Sequence, residues 1–253
     1  MARQGRAPPA FLELRPGLVI DNGRYALWPA SKTLAIADLH LGFEGAAAQD
    51  GAYFPRVQKK AVMERLVKVL SDRRPARILV CGDLKHTFDR NLDTEWEEIK
   101  EVVALLKADG RQLDLIKGNH DNFLKNALPK DVTLETTMET EDAIFVHGHK
   151  MPENGRALLE RTGRDGRTLV LGHEHPGIRL KDGIGAVLRL PCFLYHRKAD
   201  LLILPAFSFL TEGTDVLTNG FMSPLLKDMA PAEFEAIAVS EIGLLAMGRL
   251  GEI

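Results

Sequence analysis

Five short apolar runs each end in a polar block, and seven of the chain's eight histidines lie in those blocks. The blocks are Asp38-Leu39-His40, Gly82-Asp83-Leu84-Lys85-His86, Gly118-Asn119-His120-Asp121, His147-Gly148-His149 and Gly172-His173-Glu174-His175. The runs before them are Thr33–Ala37, Arg77–Cys81, Leu113–Ile116, Ala143–Val146 and Thr168–Leu171. Apolar runs this short, bounded by turn signals, read as buried strands. Open α/β sheets gather ligand-type side chains at the carboxyl ends of their strands. The pattern therefore predicts that the blocks converge, with the glycines permitting the tight turns.

Imidazole, carboxylate and amide oxygen together suit divalent ions such as manganese, iron or zinc. No thiolate is involved, which excludes a cysteine-type structural zinc site. Two divalent ions would bring four positive charges; Asp38 and Asp83 would cancel two and a bridging hydroxide one more. The remaining positive charge attracts an anionic phosphate ester and stabilises the charge that develops during in-line attack.

Taken in order, the blocks resemble the calcineurin-like metallophosphoesterase superfamily over roughly residues 33–215. The resemblance implies an α/β fold, a four-layer αββα sandwich of two mixed β-sheets flanked by helices. Periodicity alone gives an α/β first half and a β-rich second half. The resemblance implies one metal held by Asp38, His40, Asp83 and His175, and a second held by Asp83, Asn119, His147 and His173. Manganese is the expected ion, with iron, zinc, nickel or cobalt as alternatives. Asn119 would also contact substrate. His120 would protonate the leaving oxygen or clamp the phosphate, with Asp121 fixing its tautomer. The first two blocks are similar to SbcD-type DNA-repair nucleases and their archaeal relatives, in which a histidine placed like His86 meets the substrate phosphate. His149 is read either as substrate-facing or as a turn anchor, and His196, outside every block, as an ordinary strand or turn residue.

The expected activity is hydrolysis of a phosphodiester, with nucleic acid, single-stranded in particular, or a nucleotide as substrate. A phosphomonoesterase or small-molecule diesterase would share every ligand. A protein-binding scaffold, as in retromer, would carry a degraded metal site, and the complete set argues against it. The resemblance also allows a homodimer and a protein partner in repair or RNA processing.

At 253 residues the chain is expected to be one domain, 1–253, with a loose arm over 1–10 and no separate DNA-capping domain. Its net charge of -2 argues against nucleic-acid binding by bulk electrostatics. Two cysteines, Cys81 and Cys192, are too few for a disulfide framework. Met1 to Pro9 lacks the apolar core of a signal peptide. No run reaches the ~18 apolar residues of a membrane span, so a cytoplasmic location is expected.

Further elements follow from pattern. Leu18–Ile20 and Tyr25–Trp28 read as strands at a sheet edge, and 42–54 as a long loop. A helix is predicted over 55–70, with Val62, Leu66, Val69 and Leu70 inward. A second is predicted over 94–108, with a Thr94/Glu97 capping box and Trp96, Ile99, Val103 and Leu106 inward. Glu95, Glu97, Glu98 and Glu101 are assigned to its wet face, Lys85 to solvent, and Arg73, Arg74 and Arg77 to a solvated helix end. A short helix over 156–161, strands over 186–190, 192–195 and 201–204, and a hairpin of 236–239 with 244–247 complete the reading.

Overall fold

The computed structural model describes residues 7–90, 92–181, 187–209 and 213–253. The first sheet opens with β1 (Phe11–Arg15), β2 (Leu18–Asp21), β3 (Tyr25–Trp28) and β4 (Thr33–Ile36), each antiparallel to the one before. After α1 (Phe43–Gln49) and α2 (Gln58–Arg73), β5 (Arg77–Cys81) lies parallel to β4. After α3 (Asp93–Lys107), β6 (Gln112–Ile116) and then β7 (Thr133–Glu135) extend the parallel half.

The second sheet takes β8 (Thr137–Glu139) and β9 (Ala143–Val146), then, past α4 (Gly155–Arg161), β10 (Thr168–Leu171), β11 (Pro176–Lys181), β12 (Val187–His196), β13 (Leu201–Ile203) and β14 (Thr214–Asp215). After α5 (Val216–Asn219), the hairpin of β15 (Glu235–Ser240) and β16 (Gly243–Arg249) branches from β12. Among the described residues the sheet order is β14-β11-β12-β13-β10-β9-β8, with β13, β10 and β9 mutually parallel.

Strand alternation sorts each apolar run into two layers. Leu34, Ile36, Ile78 and Val80 face α2 and α3, whereas Ala35, Ala37, Leu79 and Cys81 face the other sheet. Val170 and Phe145 meet them from the second sheet, and Ile144, Val146, Leu169 and Leu171 point outward to α4 and the C-terminal segments. The result is the expected four-layer arrangement of two mixed sheets. Small residues on the first sheet leave room for Trp28 and Phe145, whose rings meet edge-on at 5.4 Å.

Several expectations need correction. Segment 42–54 is not a loop throughout: Gly42, at φ 87, turns the chain into α1, where the Ala46–Ala48 run favours helix. The second helix starts at Asp93, which places Thr94 inside the first turn, and no side chain caps it. Its buried stripe is Glu95, Ile99, Val102, Val103 and Leu106, with Trp96 only half-buried. Arg73 and Arg77 are not solvated ends, because Asp21 and Asp114 bind them at 2.6 and 2.7 Å. Of the expected arm, positions 1–6 lie outside the described residues, as does Ala186 of the expected 186–190 strand. Pro9 and Ala10 are pinned, since their carbonyls accept from the Leu244 and Asn22 amides.

Glu95 and Lys85 are the largest departure. Both are buried, with carboxylate and ammonium 3.5 Å apart. Glu95 also accepts from the His86 and Thr87 amides at 2.9 and 2.8 Å and from the Thr87 hydroxyl. Removing one partner of such a pair leaves a charge buried alone. Glu95→Ala should therefore destabilise the protein by about 3–5 kcal/mol in urea unfolding. A loss below about 0.5 kcal/mol, the scale of a neutral surface change, would show that Lys85 does not depend on Glu95.

Candidate metal centre

The ends of β4 and β5 are laced together beyond the strands. Asp38 and His40 donate their amides to the Gly82 and Asp83 carbonyls, both at 3.0 Å, and Leu41 donates to Leu84 at 2.9 Å. These bonds hold Asp38, His40 and Asp83 at φ 56, 48 and 51, where an L residue is strained by about 1 kcal/mol or more. His173 and His175, past β10, share that conformation at φ 68 and 42. Strain of this kind concentrated on ligand-type side chains is a mark of a functional site.

Two donor clusters that share Asp83 result, and a third, His40, His86 and His120, adjoins the first. Asp38, His40, Asp83 and His175 bring ligand atoms within 4.8 Å of one another, as do Asp83, His147 and His173. In the first, His40 Nε2 and His175 Nε2 are 3.2 Å apart, and His175 Nε2 is 3.3 Å from Asp38 Oδ1. In the second, His147 Nε2 lies 3.3 Å from Asp83 Oδ2 and 3.1 Å from Asn119 Oδ1. Asp83 belongs to both clusters. Its Oδ1 accepts the His120 amide at 2.9 Å, while Oδ2 faces His40 at 4.0 Å and His147 at 3.3 Å.

The donor chemistry fits divalent cations. Oxygen and nitrogen lone pairs converge on a common point, which is repulsive unless a proton or a cation lies between them. A backbone carbonyl can only accept, so His147 Nδ1 must donate to Cys81 O at 2.8 Å, leaving Nε2 as the inward atom. Burial holds the His40 imidazole down to about 3, with His175 adding to the effect. Burial and then His147 hold His173 down to about 4. Both therefore present the neutral form that a metal needs. Burial alone would lower His147, but the bond to Asp83 and the nearby Asp38 outweigh it and keep it up to about 9. Burial would raise the Asp83 carboxyl, and the His147 bond outweighs that, so it lies below its ordinary value.

Two glycines are required sterically. A Cβ on Gly82, at φ 85, would collide with the His147 ring, and one on Gly118 with the Asp83 carboxylate.

Asp121 does not do what was expected of it. It is fully buried, and its oxygens accept the amides of Asp83 and Gly118 at 2.8 Å, Leu84 at 2.9 Å and Lys85 at 3.3 Å. His120 Nδ1 instead donates to the His86 carbonyl. The backbone occupies the site where Asp121 would have met the ring. His120 Nε2 is left facing inward, 4.0 Å from Asp83 Oδ2.

His86 stacks on His120 with ring centroids 5.8 Å apart, on the His40 side. His149 lies beside His147 and His173, at 5.2 and 6.2 Å. It also lines a cleft of about 360 Å³ with Phe88, Lys117, Asn119 and Lys150. His196 is remote from the blocks, at the end of β12, where it meets Glu233.

Three supporting residues escaped the sequence reading. Gln58 donates to the Leu39 and His40 carbonyls, both at 2.9 Å, and so fixes the first ligand loop. Glu44 accepts the Gln58 amide at 2.7 Å. Glu174, between two ligands, turns away and accepts the Met222 and Ser223 amides at 2.9 and 2.6 Å. None of these three carries a local signal, unlike Glu95, which falls on the same helical face as Ile99, Val102 and Leu106.

Comparison with known proteins agrees with this geometry. No curated protein matches the sequence. Among solved structures, the crystal structure of the Pseudomonas putida nuclease MPE is similar in fold, with a TM-score of 0.62 and 22% identity over 93% of this chain and 98% of that one. Yfce, a phosphoesterase from E. coli, aligns at a TM-score of 0.38 and 13% identity over 85% of this chain and 96% of that one. The sequence signature of the calcineurin-like phosphoesterase superfamily domain matches residues 32–187, more than half of the chain and all five blocks. The chain belongs to that superfamily and is a metallophosphoesterase.

Proposed function

We propose that this chain hydrolyses phosphodiester bonds at a two-metal centre, with nucleic acid as its substrate class. The observation that carries the reading is the sharing of Asp83 between two ligand clusters. Asp38, His40, Asp83 and His175 would hold one ion, and Asp83, Asn119, His147 and His173 the other. Manganese is the first choice from the family resemblance, and the donors, imidazole, carboxylate and amide without thiolate, suit iron or zinc as well. When bound, the ions supply Lewis acidity and a water activated near neutral pH.

The chain's own residues supply the rest. His120, with its Nδ1–H committed to the His86 carbonyl, presents Nε2 to the centre; as the imidazolium, protonated at Nε2 as well, it gives that second proton to the leaving oxygen and returns to the neutral ring. Asn119 directs its amide at a phosphoryl oxygen. His86 and His149 line the two sides on which substrate would extend. The nucleic-acid preference is supported by the His86 placement, which resembles the SbcD-type branch, and by the fold shared with a bacterial nuclease. A small-molecule phosphoesterase with the same ligands is the second reading, favoured by the net charge of -2. No helix among the described residues is long and apolar enough to cross a membrane.

A panel of single-stranded DNA, single-stranded RNA, bis-p-nitrophenyl phosphate and p-nitrophenyl phosphate decides between them. With manganese, polymer cleavage that is lost in Asp83→Ala is expected. Cleavage of the small esters alone would transfer the protein to the second reading, and silence on all four would overturn both.

His120→Asn should lower turnover by about 10²–10⁴ while metal content, read by elemental analysis, stays near wild type. Unchanged turnover would remove His120 from the chemistry.

Loading manganese at ~100 times its Kd should stabilise the metal-free protein by about 2.7 kcal/mol for each ion bound, read as a rise in Tm. The rise should be absent in Asp83→Ala, and an equal rise there would place the ion elsewhere.

A further inference from the structure

Arg24 and Arg65 break a rule that the other half-buried arginines keep. Arg15, Arg73, Arg77, Arg111 and Arg167 each have a carboxylate within 2.8 Å. Arg24 and Arg65 are half-buried and adjacent, yet neither has a carboxylate partner among the described residues. Burial, and for Arg65 also the neighbouring Arg24, lowers them to about 10 and about 9. Asp21, three residues before Arg24, is already committed to Arg73 and the Gly23 amide. Arg24 Nε is buried and has no partner among the described residues.

Their position gives the anomaly a use. The segment after β13 lies along the strand that ends at Asp38, with the Phe207 and Ser208 amides donating to the Ala37 and Asp38 carbonyls at 2.8 and 3.1 Å. Farther on, the Thr214 amide donates to the His175 carbonyl at 2.6 Å. The segment carrying Phe209 therefore connects two residues of the first ligand cluster. Arg24 donates to its Ala206 and Ser208 carbonyls, and Arg65 to Phe207. Both guanidiniums face the Phe209 ring, at 5.4 and 3.7 Å from its centroid, and that ring is 43% exposed.

Two guanidinium groups brought together without an acid are a site for an anion with several oxygens, and their planar forks match phosphate. We infer that Arg24, Arg65 and Phe209 form a phosphate subsite beside the metal centre, occupied by a phosphate of the bound polymer other than the one being cut. This assignment rests on the phosphodiester reading above. Free inorganic phosphate offers the same chemistry, so the test separates the two sources. It also separates a subsite from a purely structural tether of the 206–208 carbonyls.

The experiment compares the full-length manganese-loaded protein with its Arg24→Gln/Arg65→Gln variant. The KM for single-stranded DNA should rise by about tenfold, the size of losing a charged hydrogen bond. The slope of log affinity against log salt should become shallower by about 0.7 for the one phosphate released. KM and kcat for bis-p-nitrophenyl phosphate, which is too short to span both places, should hold, and Arg65→Lys should recover part of the polymer affinity. Equal losses on both substrates, or an unchanged polymer KM and salt slope, would overturn the subsite. Calorimetric titration with inorganic phosphate provides the second arm. Phosphate binding lost in the variant with polymer KM unchanged would overturn the polymer as occupant. If the wild type cuts neither DNA nor RNA, the nucleic-acid reading fails by itself, and the polymer assignment falls with it.

Discussion

The buried carboxylate of Asp121 is the constraint on which the rest of the site depends. It accepts amides from the loop after β5 and from the loop after β6. Those two loops carry Asp83 and Asn119, so one side chain sets the spacing of ligands from different strands. A carboxylate with several charge-assisted bonds to fixed amides is much stiffer than packing alone would make it. Burial and the nearby Asp83 charge push the Asp121 carboxyl up to about 6, which shows how much the surroundings oppose its charge. The amides are what keep it there. Glu95 repeats the device one layer out, holding the His86 and Thr87 amides.

The charge pattern of the centre follows from this scaffold. Carboxylates are few: Asp38 and Asp83 are the acids among the ligands. The histidines around them divide by what each ring faces. Burial, reinforced by neighbouring imidazoles, lowers His40, His173 and His149, to about 3, 4 and 4. His147 and His175 lie against Asp83 and Asp38, and those charges outweigh burial and raise them. Burial and neighbouring imidazoles thus win at His40, His173 and His149, and the facing carboxylates win at His147 and His175. A cation entering the centre would take the place of the proton between His147, Asp83 and Asn119.

How much of this was legible depends on whether a residue's role is set by its own segment. The five runs, their ligand ends and the inward stripe of α2 were readable, because period and turn chemistry are local. Glu95 and Lys85 were misread because charge normally predicts exposure. They satisfy each other across an α3–loop contact that no local pattern records. Arg73 and Arg77 were misread for the same reason, since Asp21 and Asp114 come from other strands. The block Gly118-Asn119-His120-Asp121 follows β6 and brings Asn119 and His120 to the centre. The direction in which Asp121 points is decided by backbone amides of a different loop, and sequence spacing cannot supply that.

Each ligand cluster draws on both sheets. Asp38, His40 and Asp83 follow β4 and β5 of the first sheet, and His175 follows β10 of the second. Asp83 is joined in the other cluster by His147 and His173, which follow β9 and β10. The interior between the sheets is apolar, formed by Ala35, Leu79, Phe145 and Val170 among others. Such a contact resists separation but specifies sliding poorly, because hydrophobic attraction has no direction. Direction comes from the rim, where the Asp38 carboxylate of one sheet accepts the His173 amide of the other at 3.0 Å. His147 Nδ1 likewise reaches back across to the Cys81 carbonyl at 2.8 Å. The polar centre therefore sets the alignment of the sheets that create it. Donor geometry and sheet registry are consequently coupled: a shift of one sheet changes at once the distances from Asp38, His40 and Asp83 to His147, His173 and His175.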